Sequence, residues 1–176
     1  MGDTLTPSFD RPLEYRRVQA LQDLHLLSEP AAPALRDLCQ LAQERFGVAA
    51  ALVTLIDTDR QIIKVGVGTD LEQTPRPDAF CDHLLWSDKV LVVADAREDD
   101  RFAAIPLVTG EPFIRFYAGA PLIFVRDIRL GGFCLLDTMP RNFTDQDQAE
   151  LADLAEEAMI CIIEQELDRF APGPRI

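Results

Sequence analysis

The stretch Ala51-Leu52-Val53-Thr54-Leu55-Ile56-Asp57-Thr58-Asp59-Arg60-Gln61 decides the fold. Its first half belongs to an apolar run from Val48 to Ile56. With Val53 and Ile56 β-branched and Thr54 among them, the run reads as a central strand. Asp57 to Arg60 is a turn, and Gln61 to Val67 is the returning strand. The pair makes a β-hairpin, so the sheet it seeds is antiparallel. Gly66, Gly68, Pro75 and Pro77 mark the loop that follows.

Working outward, Asp78 to Trp86 reads as a short helix and Val90 to Ala94 as a short strand. Asp95 to Pro112 is a long connection with a dense charged cluster, and loops of that length inside compact domains are usually functional or mobile. Phe113 to Ala120, Pro121 to Val125 and Ile128 to Leu136 are strand-like, with a turn at Arg126-Asp127. Helices flank this sheet. Residues 1–11 read as a flexible arm, and Pro12 suits the first turn of a helix carrying Leu13, Ala20, Leu21, Leu24 and Leu27 on one face. Ser28-Glu29-Pro30 breaks it. A second helix starts at Pro33 and turns Leu35, Leu38, Cys39, Ala42 and Phe46 inward, with Gly47 as its C-cap. Thr144 and Asp147 form a near capping box for a closing helix that runs to about Phe170, before Pro172 and a tail over 171–176.

That last helix has two apolar faces. Leu151, Leu154, Ala155, Ala158 and Ile162 can pack on the sheet, while Ile160, Ile163, Leu167 and Phe170 need other cover. The helix over 12–27 can supply it, from the same chain or from a neighbour, and the expectation is a homodimer through a helical bundle. The alternative is a helix pair within a monomer. The order of elements gives an α+β fold, an antiparallel sheet with helices on one face.

The chain has 176 residues, a net charge of −13 and 48% apolar residues. That apolar content builds a packed core. The acidic surface repels phosphate backbones and anionic bilayers, so neither nucleic acid nor membrane is an expected partner. Phe46 to Ile56, the longest largely apolar stretch, is too short to span a bilayer, and residues 1–20 lack the apolar run of a signal peptide. Cys39, Cys81, Cys134 and Cys161 never form CxxC, and read as reduced thiols in a cytoplasmic protein.

The hairpin at 51–61 resembles the first hairpin of GAF domains. Phe80, Cys81 and His83, within Ala79-Phe80-Cys81-Asp82-His83-Leu84, resemble the short-helix motif of GAF sensor domains in bacterial signalling proteins. Val93–Ala96, Asp100-Arg101-Phe102, Pro106–Gly110, Ile114–Leu122 and Gly132–Asp137 look like later stretches of the same family, in order. The resemblance covers residues 12–168. It implies a central antiparallel sheet of about six strands, with helices on one face and, on the other, a small-molecule pocket roofed by loops and the short helix. The signature of cyclic-nucleotide-binding members is not found, and Asp82 interrupts the Cys-His dipeptide of bilin-binding ones. The resemblance leaves the ligand and any cofactor unnamed.

The expected ligand-binding residues are Phe80, Cys81, His83, Asp95, Phe102, Arg115 and Tyr117, with no catalytic and no metal-ligating residue. Cys81 and His83 stand at i and i+2, a spacing that does not share a helix face, and zinc asks for more ligands. His83 either lines the pocket and titrates near neutrality or is a buried histidine that fastens the short helix. Cys81 is a small buried hydrophobe or, with a cationic neighbour, a reactive thiol. Asp95 and Arg101 are expected to tie the long loop to itself. Arg115 and Tyr117 share one strand face and offer a guanidinium and a phenol to a ligand, unless Arg115 pairs with a loop carboxylate. The expected function is a non-enzymatic sensor acting on a separate signalling partner. A chain of this length is not expected to hold a kinase, cyclase or transcription domain as well, so the output is expected from another protein or from a longer chain of which this is a piece. The alternatives are a GAF-fold free methionine sulfoxide reductase using Cys81 and a dimerisation module with a vestigial pocket.

Overall fold

In the computed structural model, which describes residues 11–125 and 127–173, six strands form one sheet. They are β1 (Ala50–Ile56), β2 (Arg60–Val67), β3 (Gln73–Pro75), β4 (Leu91–Val93), β5 (Phe116–Val125) and β6 (Ile128–Asp137). The order is β3-β2-β1-β6-β5-β4, and every neighbouring pair is antiparallel. The four α-helices are α1 (Arg11–Asp23), α2 (Pro33–Phe46), α3 (Pro106–Thr109) and α4 (Asp145–Phe170). The α+β reading and the hairpin pairing, with Ile56 opposite Gln61, stand as expected. No helix among the described residues is long and apolar enough to cross a membrane.

Period-two alternation splits the interior into two cores. Ala51, Val53, Leu55, Phe116, Ala118, Phe133 and Leu135 face α2 and α4. Ala50, Leu52, Ile56, Tyr117, Cys134 and Leu136 face the other way, under the segment 76–114. That segment is a roof with a helix of its own, Phe80–Trp86, wound as 3₁₀ rather than α. Gly132 lets this roof helix come close. A Cβ there would stand 2.4 Å from Leu84 Cδ1 and 2.9 Å from Cys134 Sγ.

Several expectations need correction. Arg11 opens α1 instead of ending the arm, and the rest of that arm lies outside the described residues, as do residues 174–176 of the tail. The first helix ends at Asp23. His25 takes a left-handed conformation, its N–H reaching Gln22 O while Leu26 N–H reaches Leu21 O, which closes the helix four residues before Leu27. Residues 73–75 pair with 60–62 as edge strand β3, too short to show a pattern. Residues 113–115 precede β5, which runs unbroken through Pro121, where the register slips. The connection 95–112 holds two short helical turns. The helix caps stand as expected: Gly47 closes α2 at φ 62°, and Thr144 and Asp147 make both bonds of the capping box. Helix α1 packs on β6 and not along α4, so Ile160, Leu167 and Phe170 remain 49%, 65% and 74% exposed.

Gly132→Ala is expected to lower stability by about 1–3 kcal/mol in urea unfolding, because the buried Leu84 must yield. Gly173→Ala, which meets nothing within 4 Å, is expected to stay within about 0.5 kcal/mol.

Candidate functional site

At one end of the sheet, on the roof side, lies a cleft of about 470 Å³. The start of β1 (Ala49, Ala50), the loop after β2 (Gly68 to Leu71), the segment before β5 (Glu111, Pro112, Ile114) and the end of β6 (Leu136 to Thr138) line it. Its charged lining side chains are all carboxylates: Asp70, Glu111 and Asp137. Asp137 is already matched, since Arg141 Nε donates to it at 2.6 Å. Asp70 and Glu111 are exposed at the rim.

Behind the cleft, sharing Leu71, Ile114 and Leu136 with it, is a buried void of about 20 Å³. Gln61, Asp78, Phe80, Cys81, Tyr117 and Cys134 also line the void. A space of that size takes about one water molecule and is too small for a metabolite-sized ligand. Gln61 donates its amide N–H to Thr74 Oγ1 at 3.1 Å and leaves Oε1 without a protein partner.

The structure separates the residues expected to bind a ligand. Phe80, Phe102 and Tyr117 stack on one another, with Phe80 ring centroids 4.6 Å from Phe102 and 4.7 Å from Tyr117, and all three are buried. Phe80, Cys81 and Tyr117 touch the inner void; Phe102 backs them. His83 neither lines these spaces nor is buried. It is exposed, its ring edge against Phe102 at 4.9 Å. Cover on that packed side, aided by Arg101, lowers its pKa against the pull of Asp82 and Asp99. Asp95 sits in an ion pair with Arg97 and Asp99 in one with Arg101, so the expected Asp95–Arg101 tie does not form. Adjacent i,i+2 partners on a turn win over the more distant one because less chain must be ordered. Arg115 finds no carboxylate. It donates to Val108 O at 3.0 Å and Ile114 O at 3.2 Å, pinning α3 beside the cleft.

Two features were not legible in the sequence. Cys134 lies against Cys81, so the roof carries a thiol pair where one thiol was expected. The second is an ionic clasp. Glu14 of α1 holds Arg17 at 2.8 Å and also Arg76, whose Nε reaches Asp82 of the roof helix at 2.7 Å. Arg17, 1% exposed, donates to Ile56 O as well. Burial would raise the Glu14 pKa, but the two guanidinium bonds outweigh it and set the value to about 2. Farther on, Gln165 accepts from Ala32 N–H at 3.1 Å and donates to Pro30 O at 2.9 Å, and His25 meets Glu166 at 3.2 Å. These bonds tie the end of α1 and the linker after it to the last turns of α4. Among the described residues, no group of three or more His, Cys, Asp or Glu side chains is placed to hold a metal ion.

The sequence model of the GAF domain matches residues 31–162. A cyclic di-GMP phosphodiesterase of Pseudomonas aeruginosa is 38% identical over 147 residues, 83% of this chain and 25% of that protein. The chain thus spans a quarter of that curated relative's length. Among solved structures, the GAF domain of an Acinetobacter phosphoenolpyruvate-protein phosphotransferase superposes with a TM-score of 0.65 at 12% identity, covering 90% of this chain and 98% of that one. The free methionine-R-sulfoxide reductase of Neisseria meningitidis superposes with a TM-score of 0.63 at 18% identity, covering 89% and 92%. At such identities the likeness is one of fold.

Glu14→Gln removes the shared carboxylate from two largely buried guanidiniums, and is expected to cost about 3 kcal/mol at neutral pH. The native carboxyl is held below its usual value, so its contribution is full above the unfolded value of 4.5 and is lost as pH falls towards about 2. Urea unfolding of both proteins from pH 7 to pH 2 is expected to show the gap between them closing across that window.

Proposed function

This chain belongs to the GAF domain family, and on that premise we propose that it is a small-molecule-sensing, regulatory module of bacterial signal transduction. It works without catalysis of its own, in the cytoplasm, as a homodimer that acts on a separate signalling partner. The observation that carries this reading is the Glu14–Arg76–Asp82 clasp. Phe80 and Cys81 of the roof helix cover the void behind the cleft, so a roof held to α1 by ions, with the following linker bonded to the last turns of α4, supports a route from the cleft to the terminal helices.

The cleft suggests the ligand's chemistry. An apolar wall with exposed Asp70 and Glu111 at its rim favours a compact molecule that carries a cationic group. It disfavours phosphate esters, which would face carboxylates. That supports reading the segment shared with the Pseudomonas phosphodiesterase as a regulatory part and not as a seat for the cyclic dinucleotide. The exposed face of α4 supports the dimer. Ile160, Leu167 and Phe170 are exposed at spacings of seven and three, with Ile163 partly packed on the helix-side core between them, which supports the seam of a two-stranded coiled coil.

The Cys81–Cys134 contact favours a second reading, a free methionine sulfoxide reductase with Cys81 as nucleophile. Turnover of free methionine sulfoxide with a thiol reductant, lost in Cys81→Ser, would put that reading in place of the first.

Native mass spectrometry of the purified chain tests the proposal. The expected spectrum is a dimer that retains a small cationic or zwitterionic molecule. Asp70→Asn with Glu111→Gln is expected to lose the molecule and keep the dimer, and Leu167→Asp to give monomer. An anionic adduct would overturn the assignment of ligand class. A dimer that binds nothing from a metabolite extract would reduce the chain to a dimerisation module, and a strict monomer of the unaltered chain would remove the relay.

A further inference from the structure

Cys81 and Cys134 come from distant parts of the chain and meet under the roof. Cys81 opens the roof helix and Cys134 lies on central strand β6, with their sulfurs 2.9 Å apart. They are 2% and 0% exposed. The Tyr117 hydroxyl lies 3.2 Å from Cys81 Sγ and 3.4 Å from Cys134 Sγ, and Thr54 Oγ1 lies 3.8 Å from Cys134 Sγ. This placement is built into the sheet. Gly119 is the β5 partner of Cys134, and a Cβ there would meet the Tyr117 hydroxyl at 2.1 Å. The missing side chain is what lets the phenol lie down beside both sulfurs. Both cysteines line the void of about 20 Å³, and the void shares Leu71, Ile114 and Leu136 with the open cleft.

We propose that Cys81 and Cys134 are a peroxide-oxidisable dithiol that closes to an intramolecular disulfide and fastens the roof helix covalently to the central strand. The inference does not depend on the ligand proposed for the cleft. A disulfide needs its sulfurs at about 2.05 Å, roughly 0.9 Å closer than they stand, a distance that side-chain torsion can supply. In the first step the Cys81 thiolate attacks one oxygen of a hydroperoxide. The O–O bond breaks, Cys81 becomes a sulfenic acid, and the departing alkoxide or hydroxide takes up the proton that the thiol gave away. In the second step the Cys134 sulfur attacks the sulfenic sulfur. The S–S bond forms, the S–OH bond breaks, and the leaving hydroxide takes the Cys134 proton to become water. Two thiols are oxidised by one electron each, and the peroxide is reduced by two.

The surroundings fix the order and the selectivity. Burial works against ionisation of Cys81, yet hydrogen bonds from Cys134, Thr54 and Tyr117 outweigh it and bring the thiol below its ordinary value. Burial keeps Cys134 well above its own. Cys81, on the roof helix and nearer the Tyr117 hydroxyl, is assigned as the attacking thiol, and Cys134, held on the central strand, as the resolving one. Cys39, pushed up to about 12 by burial in the helix-side core, and Cys161, raised by burial and by Glu164 and Glu157, stand apart from the pair. In so confined a space hydrogen peroxide is far less hindered in reaching the sulfurs than a bulky hydroperoxide.

The test uses the whole chain, reduced and then treated with hydrogen peroxide. The expected product is about 2 Da lighter, with a Cys81–Cys134 cross-linked peptide. Cumene hydroperoxide at the same concentration is expected to react at least about tenfold more slowly. Cys134→Ser is expected to gain about 16 Da on Cys81 and form no cross-link. If that variant does not fold, Cys39→Ser with Cys161→Ser keeps the pair and must still close it. Stable oxygen addition without loss of hydrogen in the unaltered chain, a cross-link through Cys39 or Cys161, or an unreacted pair would each overturn the proposal.

Discussion

Both faces of β1, and of β5 and β6 over most of their length, are buried, so the molecule must cover its sheet twice. It does so with different materials. On one face α2 and α4 lay amphipathic helices over an aliphatic core. On the other the cover is irregular chain: a 3₁₀ helix, turns, and an aromatic stack of Phe80, Phe102 and Tyr117. Irregular chain cannot satisfy its own backbone as an α-helix does, and it needs side chains to hold it. Arg115 meets that need for the α3 turn and Arg129 for the end of the roof helix, each by donating to main-chain carbonyls. The cleft and the small void behind it both lie under this second cover.

The clasp of Glu14, Arg17, Arg76 and Asp82 belongs to the same logic. Buried ion pairs contribute little net stability, because desolvation offsets most of their attraction, but breaking one is costly. They are better at choosing one arrangement than at deepening it. Here the arrangement chosen is the seat of α1 against the roof, which neither element's own apolar surface would define. Arg17 shows the need for such a device, since a fully buried guanidinium demands partners, and Glu14 and Ile56 O supply them.

The site was legible in part. Phe80, Cys81 and Tyr117, three of the residues expected to bind a ligand, line the same void. The sequence could not show that the void is small, because packing density follows from how three aromatic rings settle against one another, and composition does not carry that. His83, Asp95 and Arg115 were read by residue type. Local geometry decided otherwise: an outward-facing turn for His83, a nearer guanidinium for Asp95, and free carbonyls for Arg115. Asp70 and Glu111 have no signature in the sequence, since isolated exposed carboxylates in an acidic chain carry no signal apart from the cleft they flank.

The hairpin, the antiparallel sheet and the capped helices follow from residues close along the chain, because these rest on short-range rules of alternation, turn chemistry and caps. Val53 and Leu55 alternate with Leu52 and Ile56, and Thr144 and Asp147 sit one helical turn apart, whatever surrounds them. That Cys81 meets Cys134, that Glu14 reaches Arg76, and that α1 leaves the outer face of α4 uncovered emerge from the folded chain alone. Each of those joins residues far apart along the chain. Such distances are fixed by strand register and by the depth to which a roof sinks over a glycine, and neither quantity has a local signature in the sequence.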